Sequence, residues 1–443
     1  MFGAALLAWI PAMADTYHVT VSGSGSMSGE SWESALPASA LEKTLSERID
    51  AGDTVLIGGP DSASAKSYGN FKLRLSKSGE EDRRIRISGV DRGHGFPAFI
   101  SGNKVRSSSA ILVTKGTSFV TLENLIVERR EVGVVCAGEN NGMVLRGISV
   151  SDVSKAGLSF VDCDDLLVER CSVAKYNRRG FHWVGACDGV VVRGSVADCP
   201  GTGGEEPPPA SWKEKCSDPV GFDFHVKGSE TPPNTDILME DCVTYYNDED
   251  GRESYEQGDG FKFEKSNVGV VLRRCIAYGN QDAAMDLKAS ELLLEHCFVK
   301  NSRLGYKIWF DGATVNNCIA VNNRSGQVMI PAKSGQAAFT FNFCTFHSVT
   351  EEQTGVRINH DGNTAILNDC IVSFEGKAGK FSDKTFINRR TEFLKNAGDT
   401  GNAPNYVGPL ENRDWDGLGN NYNSIQYNLT KGYHASRTGR TDG

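Results

Sequence analysis

One eight-residue pattern, repeated through the middle of the chain, limits the possible folds more than any other feature. It reads VTLENLIV from Val120, MVLRGISV from Met143, LLVERCSV from Leu166 and VVVRGSVA from Val190. It continues as ILMEDCVT, VVLRRCIA, LLLEHCFV, ATVNNCIA, FTFNFCTF and AILNDCIV, beginning at Ile237, Val270, Leu292, Ala313, Phe339 and Ala365. The sixth position holds Leu125, Ile148, Cys171, Ser195, Cys242, Cys275, Cys297, Cys318, Cys344 and Cys370, at spacings of 23, 23, 24, 47, 33, 22, 21, 26 and 26 residues. Apolar residues alternate as in a strand, and two polar residues then mark a corner. A unit of about 22 residues has no room for a helix and a return strand, whereas short parallel strands stacked rung on rung bury each other. The expected architecture is all-β: a single right-handed parallel β-helix, with its hand taken from the crossover rule for parallel strands. The two long spacings predict loops inserted at about residues 200–236 and 248–257.

Seven of the twelve cysteines share the sixth position. Rungs stack at ~4.8 Å, so these thiols are expected inside the coil as small apolar groups. Cys199 and Cys216 bracket the loop PGTGGEEPPPASWKEK, and both a disulfide and two free thiols remain open there. A further column lies five residues beyond the thiol, at Asn247, Asn280 and Asn323. Asn tolerates left-handed backbone and hydrogen-bonds its neighbours, so this column reads as a turn ladder.

The ends of a solenoid must be covered. Leu41, Leu45 and Ile49 have the spacing of an amphipathic helix that would cap the N-terminal end, before GDTVLIGG starts the coil. Rungs are expected over about residues 52–375, and an irregular C-terminal cap over about 376–443, within one domain from 15 to 443. Residues 1–14 join an apolar run, Phe2–Ile10, to Ala12-Met13-Ala14, and read as the remnant of a secretory signal peptide. A secreted protein, extracellular or periplasmic, follows as the expectation. The remaining sequence has no apolar run of the ~18 residues that would span a bilayer, so membrane insertion is not expected. With 47 basic and 56 acidic residues, the net charge is −9. No basic run marks a nucleic-acid face, but an acidic chain can hold an acidic polymer through a bridging cation.

Charge concentrates between Asp248 and Asp311. Aligning GFDFHV, GDGFKFEK, AMDLKA and GYKIWF places Asp223, Lys262, Asp286 and Lys307 in one column. Phe222, Phe261, Met285 and Tyr306 flank it on one side, and Phe224, Phe263, Leu287 and Ile308 on the other. Strand alternation turns these apolar residues inward and the charged column outward. A plain salt-bridge ladder would look the same, each pair contributing ~0–1 kcal/mol. Asp259 and Asp282 add carboxylates beside Asp286, giving oxygen donors on two rungs that suit calcium rather than zinc or copper.

DGFKF (259–263), NQDAAMD (280–286) and LGYKIW (304–309) resemble the calcium and catalytic segments of family nine polysaccharide lyases, pectate-lyase-like β-helices. The resemblance implies calcium at Asp259, Asp282 and Asp286, and Lys307 as the base. Ala283 departs from it, standing where the family carries a second consecutive Asp. The implied reaction is β-elimination across C4–C5 of a uronate in a pectate-like acidic polysaccharide. Calcium would withdraw charge from the substrate carboxylate while a neutral Lys takes the proton. Lys262 occupies the same column and competes for the role of base. Lys262, Arg303 and Arg324 are further candidates for contacts to sugar carboxylates, as is Lys333. A monomer is expected.

Two other function classes fit parts of the sequence. Polygalacturonases share the fold, and Asn234-Thr235-Asp236 and Gly93-His94-Gly95 resemble their motifs, though in the wrong order and without the paired aspartates; paired carboxylates also suit an inverting hydrolase. A non-catalytic polysaccharide-binding β-helix would keep outward charges without a lysine beside three carboxylates.

Overall fold

The computed structural model describes residues 14–394, apart from 61–66, 102–108, 205–209, 214, 227, 229–230, 250–256, 332–336, 349, 351–352, 360–361, 374–376, 381–385 and 390. The apolar leader at 1–13, Lys333, and the chain beyond 394 lie outside the described residues. Among those described, no helix is long and apolar enough to cross a membrane.

The repeats stack as parallel strands on three faces. On the first face, Val190, Ile237, Val270 and Leu292 pair in register from rung to rung. The second face begins after the corner, where Val243, Ile276, Phe298 and Ile319 follow one another. The third face carries Phe181, Phe222, Phe261, Met285 and Tyr306. Strands with a period of two bury every other side chain, and the inward residues form one apolar cluster running from Val19 to Val372, while Val243, Ile276, Phe298 and Ile319 of the second face pack in a second cluster with Tyr245, Tyr246 and Tyr278. On the third face this interior is aromatic. Phe181, Phe222 and Phe261 stack at centroid distances of 4.6 and 4.9 Å, and Trp183, Phe224 and Phe263 at 4.2 and 4.6 Å. Two such stacks clamp the outward column between them.

The first corner is sharp because the residue before the thiol column adopts left-handed backbone at each rung. Arg170, Asp241, Arg274, His296, Asn317 and Asp369 have φ between 50° and 55°. The sixth-position side chains then point inward and are buried, from Leu125 through Cys370. Backbone N–H groups bond down this column: Cys171 N to Ser195 Oγ at 3.2 Å, Cys297 N to Cys318 Sγ at 3.4 Å and Cys344 N to Cys370 Sγ at 3.4 Å. A larger side chain has no room there. Cys297→Leu is expected to lower stability by about 1–3 kcal/mol through overpacking, read from denaturant midpoints at unchanged slope. A neutral or stabilising result would place this side chain outside the stack.

The asparagine column forms a ladder, but its conformation differs from the expectation. Asn247 Nδ2 donates to Asn280 Oδ1 (2.8 Å), Asn280 N to Ser302 Oγ (3.0 Å) and Ser302 N to Asn323 Oδ1 (3.0 Å). The left-handed residues are Tyr246, Gly279, Asn301 and Asn322, each one position earlier. The turn must be completed before the amide can point into the interior. Cys163, Cys187, Asn234 and Asn267 build a comparable buried column.

At the N-terminal end, Leu41–Lys43 is α-helical and Thr44–Arg48 continues with wider, π-type turns. Leu41, Leu45 and Ile49 are buried over the first rungs, as the spacing predicts. Thr16–Thr20 and Thr54–Gly58 pair in parallel beneath this cap. At the other end, strands Lys377–Lys380, Phe386–Arg389 and Glu392–Leu394 pair with the preceding coil. The coil therefore continues past the expected boundary at 375. Cys199 and Cys216 carry thiols rather than a disulfide, with their sulfurs 3.9 Å apart, and Cys199 Sγ also lies 3.4 Å from the Tyr176 carbonyl.

Candidate functional site

The third face brings together residues from three segments. His182, Asp223, Lys262, Asp286 and Lys307 are register partners on successive rungs. Asp259 and Asp282 enter from the corner just before this face. Gly260 allows the approach: a Cβ there would lie 2.4 Å from the Ala284 carbonyl oxygen. Asp259 Oδ1 accepts the Ala283 N–H at 3.0 Å, which ties the 259 and 282 corners together.

Lys307 sits between two carboxylates. Its Nζ is 3.3 Å from Asp282 Oδ2 and 3.5 Å from Asp286 Oδ2. The Arg303 guanidinium forks onto Asp282 Oδ1 through Nε (3.0 Å) and Nη2 (2.6 Å). Asp286 is held by Trp309 Nε1 at 2.6 Å and by Lys288 Nζ at 3.0 Å. The ammonium groups of Lys307 and Lys288 lie 5.5 and 5.6 Å from the centre of the Trp309 ring. Lys288 and Trp309 were not singled out from the sequence. Each stands two residues beyond a member of the column, so strand alternation carried the signal for both.

The depth of the cation distinguishes this column from an ordinary ladder, whose carboxylate Glu123 is also only 6% exposed. The first face does carry such a ladder, in which Arg146 joins Glu123 and Glu169, and Arg273 joins Glu240 and Glu295. Its arginines are 35–37% exposed. On the third face the side chains of Asp282, Asp286 and Lys307 are 2%, 4% and 6% exposed. Burying ions costs several kcal/mol per group before pairing offsets it, so stability alone does not favour this arrangement.

Electrostatics marks Lys262 and Asp259. Burial and the neighbouring charges of Asp286 and Asp282 raise the Asp259 carboxyl to about 7. Burial acts to lower the Lys262 ammonium, but Asp259 and Asp223 outweigh it and hold the group above its ordinary value. Lys262 also pairs with Glu264 at 3.3 Å. These carboxylates favour its charged form.

The Asp259 shift has a consequence for stability. Its folded value of about 7 lies above the ordinary 3.8, so between these values the folded protein holds a proton that the unfolded chain has released. Stability then falls as pH rises through that interval. In calcium-free buffer, Asp259→Asn should be more stable than wild type at about pH 8, by on the order of 1–3 kcal/mol, and equal near pH 3. Thermal or denaturant unfolding across this range is the check, and a variant less stable at alkaline pH would contradict the assignment.

The remaining expected contacts are arranged as follows. Arg303 is engaged by Asp282, which makes it a positioning group. Arg324 is exposed and donates to the Gln281 carbonyl at 2.8 Å. Asp248 pairs with Lys213, and Glu249 accepts the Asp218 N–H at 2.7 Å, so neither joins the carboxylates. The hydrolase-like triplets lie several rungs apart: Asn234 is built into a buried column, while Gly93 and Gly95 close a turn on Asp91.

The donor chemistry of Asp259, Asp282 and Asp286 fits a hard cation such as calcium, and burial, with a smaller part from Asp286 and Asp282, raises the Asp259 carboxyl. Among the described residues, however, no group of three or more potential ligands is closed around one metal position. An ion here would share oxygens now held by Lys307, Lys288 and Arg303.

No protein-family profile matches the chain, and no curated protein matches it in sequence. Among solved structures it is similar to pectate lyase Pel9A, at 14% identity over 90% of this chain and 84% of that one, with a TM-score of 0.47. A mannuronic acid specific polysaccharide family 6 lyase from human gut microbiota is similar at 10% identity over 88% of each chain, TM-score 0.47. The GH136 lacto-N-biosidase from Eubacterium ramulus is similar at 12% identity over 86% of this chain and 68% of that one, TM-score 0.45.

Proposed function

We propose that this chain is a secreted polysaccharide lyase of family nine, built on a right-handed parallel β-helix, that cleaves a uronate-containing acidic polysaccharide by β-elimination. The observation that carries this reading is the buried Lys307, 3.3 and 3.5 Å from Asp282 and Asp286 in an outward-facing column. The first-face ladder leaves its arginines at the surface, whereas a base confined beside cation ligands lies deep.

Lys307 as a free amine takes the proton from C5 of the bound uronate. The electron pair forms the C4–C5 double bond, and the C4–O bond breaks. The departing oxygen takes up a proton from the Lys307 ammonium, directly or relayed through water, which restores the base. Lys262, permanently charged on the far side of Asp286, holds the substrate carboxylate. Arg303 keeps Asp282 oriented, and Trp309 does the same for Asp286. Arg324, exposed at the rim, is placed to meet a further sugar carboxylate. Calcium held by Asp259, Asp282 and Asp286 would supply charge withdrawal from the substrate carboxylate.

The test is a panel of acidic polysaccharides, with and without calcium. Release of an unsaturated, ultraviolet-absorbing uronide is expected from at least one of them. New reducing ends without that chromophore would indicate a hydrolase, and binding without cleavage a non-catalytic protein.

A further inference from the structure

Two rungs before Asp286 the same face opens into a cavity of about 470 Å³ that the elimination chemistry does not use. Lys155, Arg178, Arg179, His182, Asp223 and His225 line it. Asp223 is its most constrained wall. The residue is 2% exposed, and its Oδ2 accepts from Arg179 Nε at 2.6 Å, with His182 Nε2 at 3.7 Å. Asp223 Oδ1 is buried and has no hydrogen-bond partner. A buried acceptor left unmatched costs about 1–3 kcal/mol, and a donor arriving from the cavity would remove that penalty.

The cations on the rim complete the recognition. Arg179 is committed to Asp223 and Asp218. Arg178 and His225 are exposed at the mouth. His225 stands 6.5 Å from His182, centre to centre. Burial lowers the His182 imidazole to about 4, so at neutral pH it is uncharged. The site therefore offers one buried acceptor for a hydroxyl group, one neutral imidazole at His182, and at the rim the Arg178 guanidinium and the His225 ring as donors for an anion. A sugar that carries both hydroxyls and a carboxylate satisfies all of these.

We propose that this cavity is a second binding site for a uronate residue of the same polymer chain. The proposal rests on the elimination reading above. Register places Asp223 in line with Lys262, Asp286 and Lys307. At ~4.8 Å per rung, the cavity lies about 10 Å from Asp286 and about 14 Å from Lys307. A chain lying along the column reaches it with a sugar beyond the cleaved linkage. Asp223 Oδ1 accepts a hydroxyl of that sugar, and Arg178 and His225 meet its carboxylate. The site favours long acidic substrates over short ones.

Calorimetric titration of six-unit oligouronides from the cleaved polymer into Lys307→Ala protein tests this, with turnover of the same oligomers by wild type followed alongside. Adding Arg178→Ala or His225→Ala should weaken binding about tenfold each, the scale of one charge-assisted contact. Asp223→Asn should weaken it as well, with folding checked by thermal unfolding because Arg179 keeps only Asp218 of its two charged partners. The two rim variants are exposed and keep the test valid if that protein unfolds. Unchanged affinity in both rim variants, with cleavage by wild type intact, would overturn the cavity site alone. Equally tight binding of a neutral oligosaccharide of the same length would overturn the carboxylate assignment. Absence of both binding and cleavage for every uronide would remove the elimination reading and this site together.

Discussion

Lys307→Ala is expected to reduce turnover by ~10²–10⁴-fold, the range for loss of a proton-transfer group, while substrate binding stays near normal. A base acts mainly in the transition state, so kcat should fall and KM should hold. Lys262→Ala should behave in the opposite way. Its ammonium, held charged by Asp259 and Asp223, contributes to ground-state binding, and its loss should raise KM and spare much of kcat. The two lysines stand two rungs apart in one column, with Asp286 between them. That is ~10 Å at sheet spacing, too far for both to reach one C5 proton. If Lys307→Ala kept more than about a tenth of wild-type activity, against the ~10²-fold minimum loss expected, Lys307 would not be the base.

Asp286→Ala is expected to weaken calcium binding by about two orders of magnitude, within the range over which ligand charge tunes such sites. Asp286 also holds Lys288, Lys307 and Trp309, so the alanine variant leaves Lys307 with Asp282 and Lys288 with Glu264 as their remaining carboxylates. Asp286→Asn is the better-folded companion, keeping the shape while removing the charge. Calcium titration of wild type and both variants, with and without polysaccharide, separates the effects. With Ala283 supplying no ligand, wild-type binding should be weak alone and stronger with substrate, because substrate oxygens complete the 6–8 ligands that calcium takes. Equal calcium affinity in all three proteins would remove Asp286 from the site.

The rungs were legible in the sequence because a parallel coil repeats one constraint many times. Each interior position must be apolar or small, and Cys242 through Cys370 recorded it. The outward column was legible for the same reason: Phe222 and Phe224 fix which way Asp223 points, and the next rungs copy them. Three features were hidden. The left-handed residues fall on Tyr246 and Gly279 rather than Asn247 and Asn280, because composition shows where a turn lies but not which peptide unit bends. The last coil, through Glu392–Leu394, lacks the alternating apolar pattern that marks the earlier rungs. The pairing of Lys307 with both Asp282 and Asp286 depends on a corner preceding a strand, and spacing along the chain does not encode it. Cys199 and Cys216 bracket a loop, as their spacing suggested, yet they meet at 3.9 Å as thiols.

Elimination is the central claim, and the fate of water tests it most directly. A polysaccharide that the protein cleaves should be digested in water enriched in heavy oxygen, and the products weighed. Elimination adds no water across the broken bond, so in short digests, before the new hemiacetal exchanges its oxygen with solvent, the fragments should carry no heavy oxygen and should absorb in the ultraviolet. Heavy oxygen at the new chain ends, without that absorbance, would mean hydrolysis and would contradict the account.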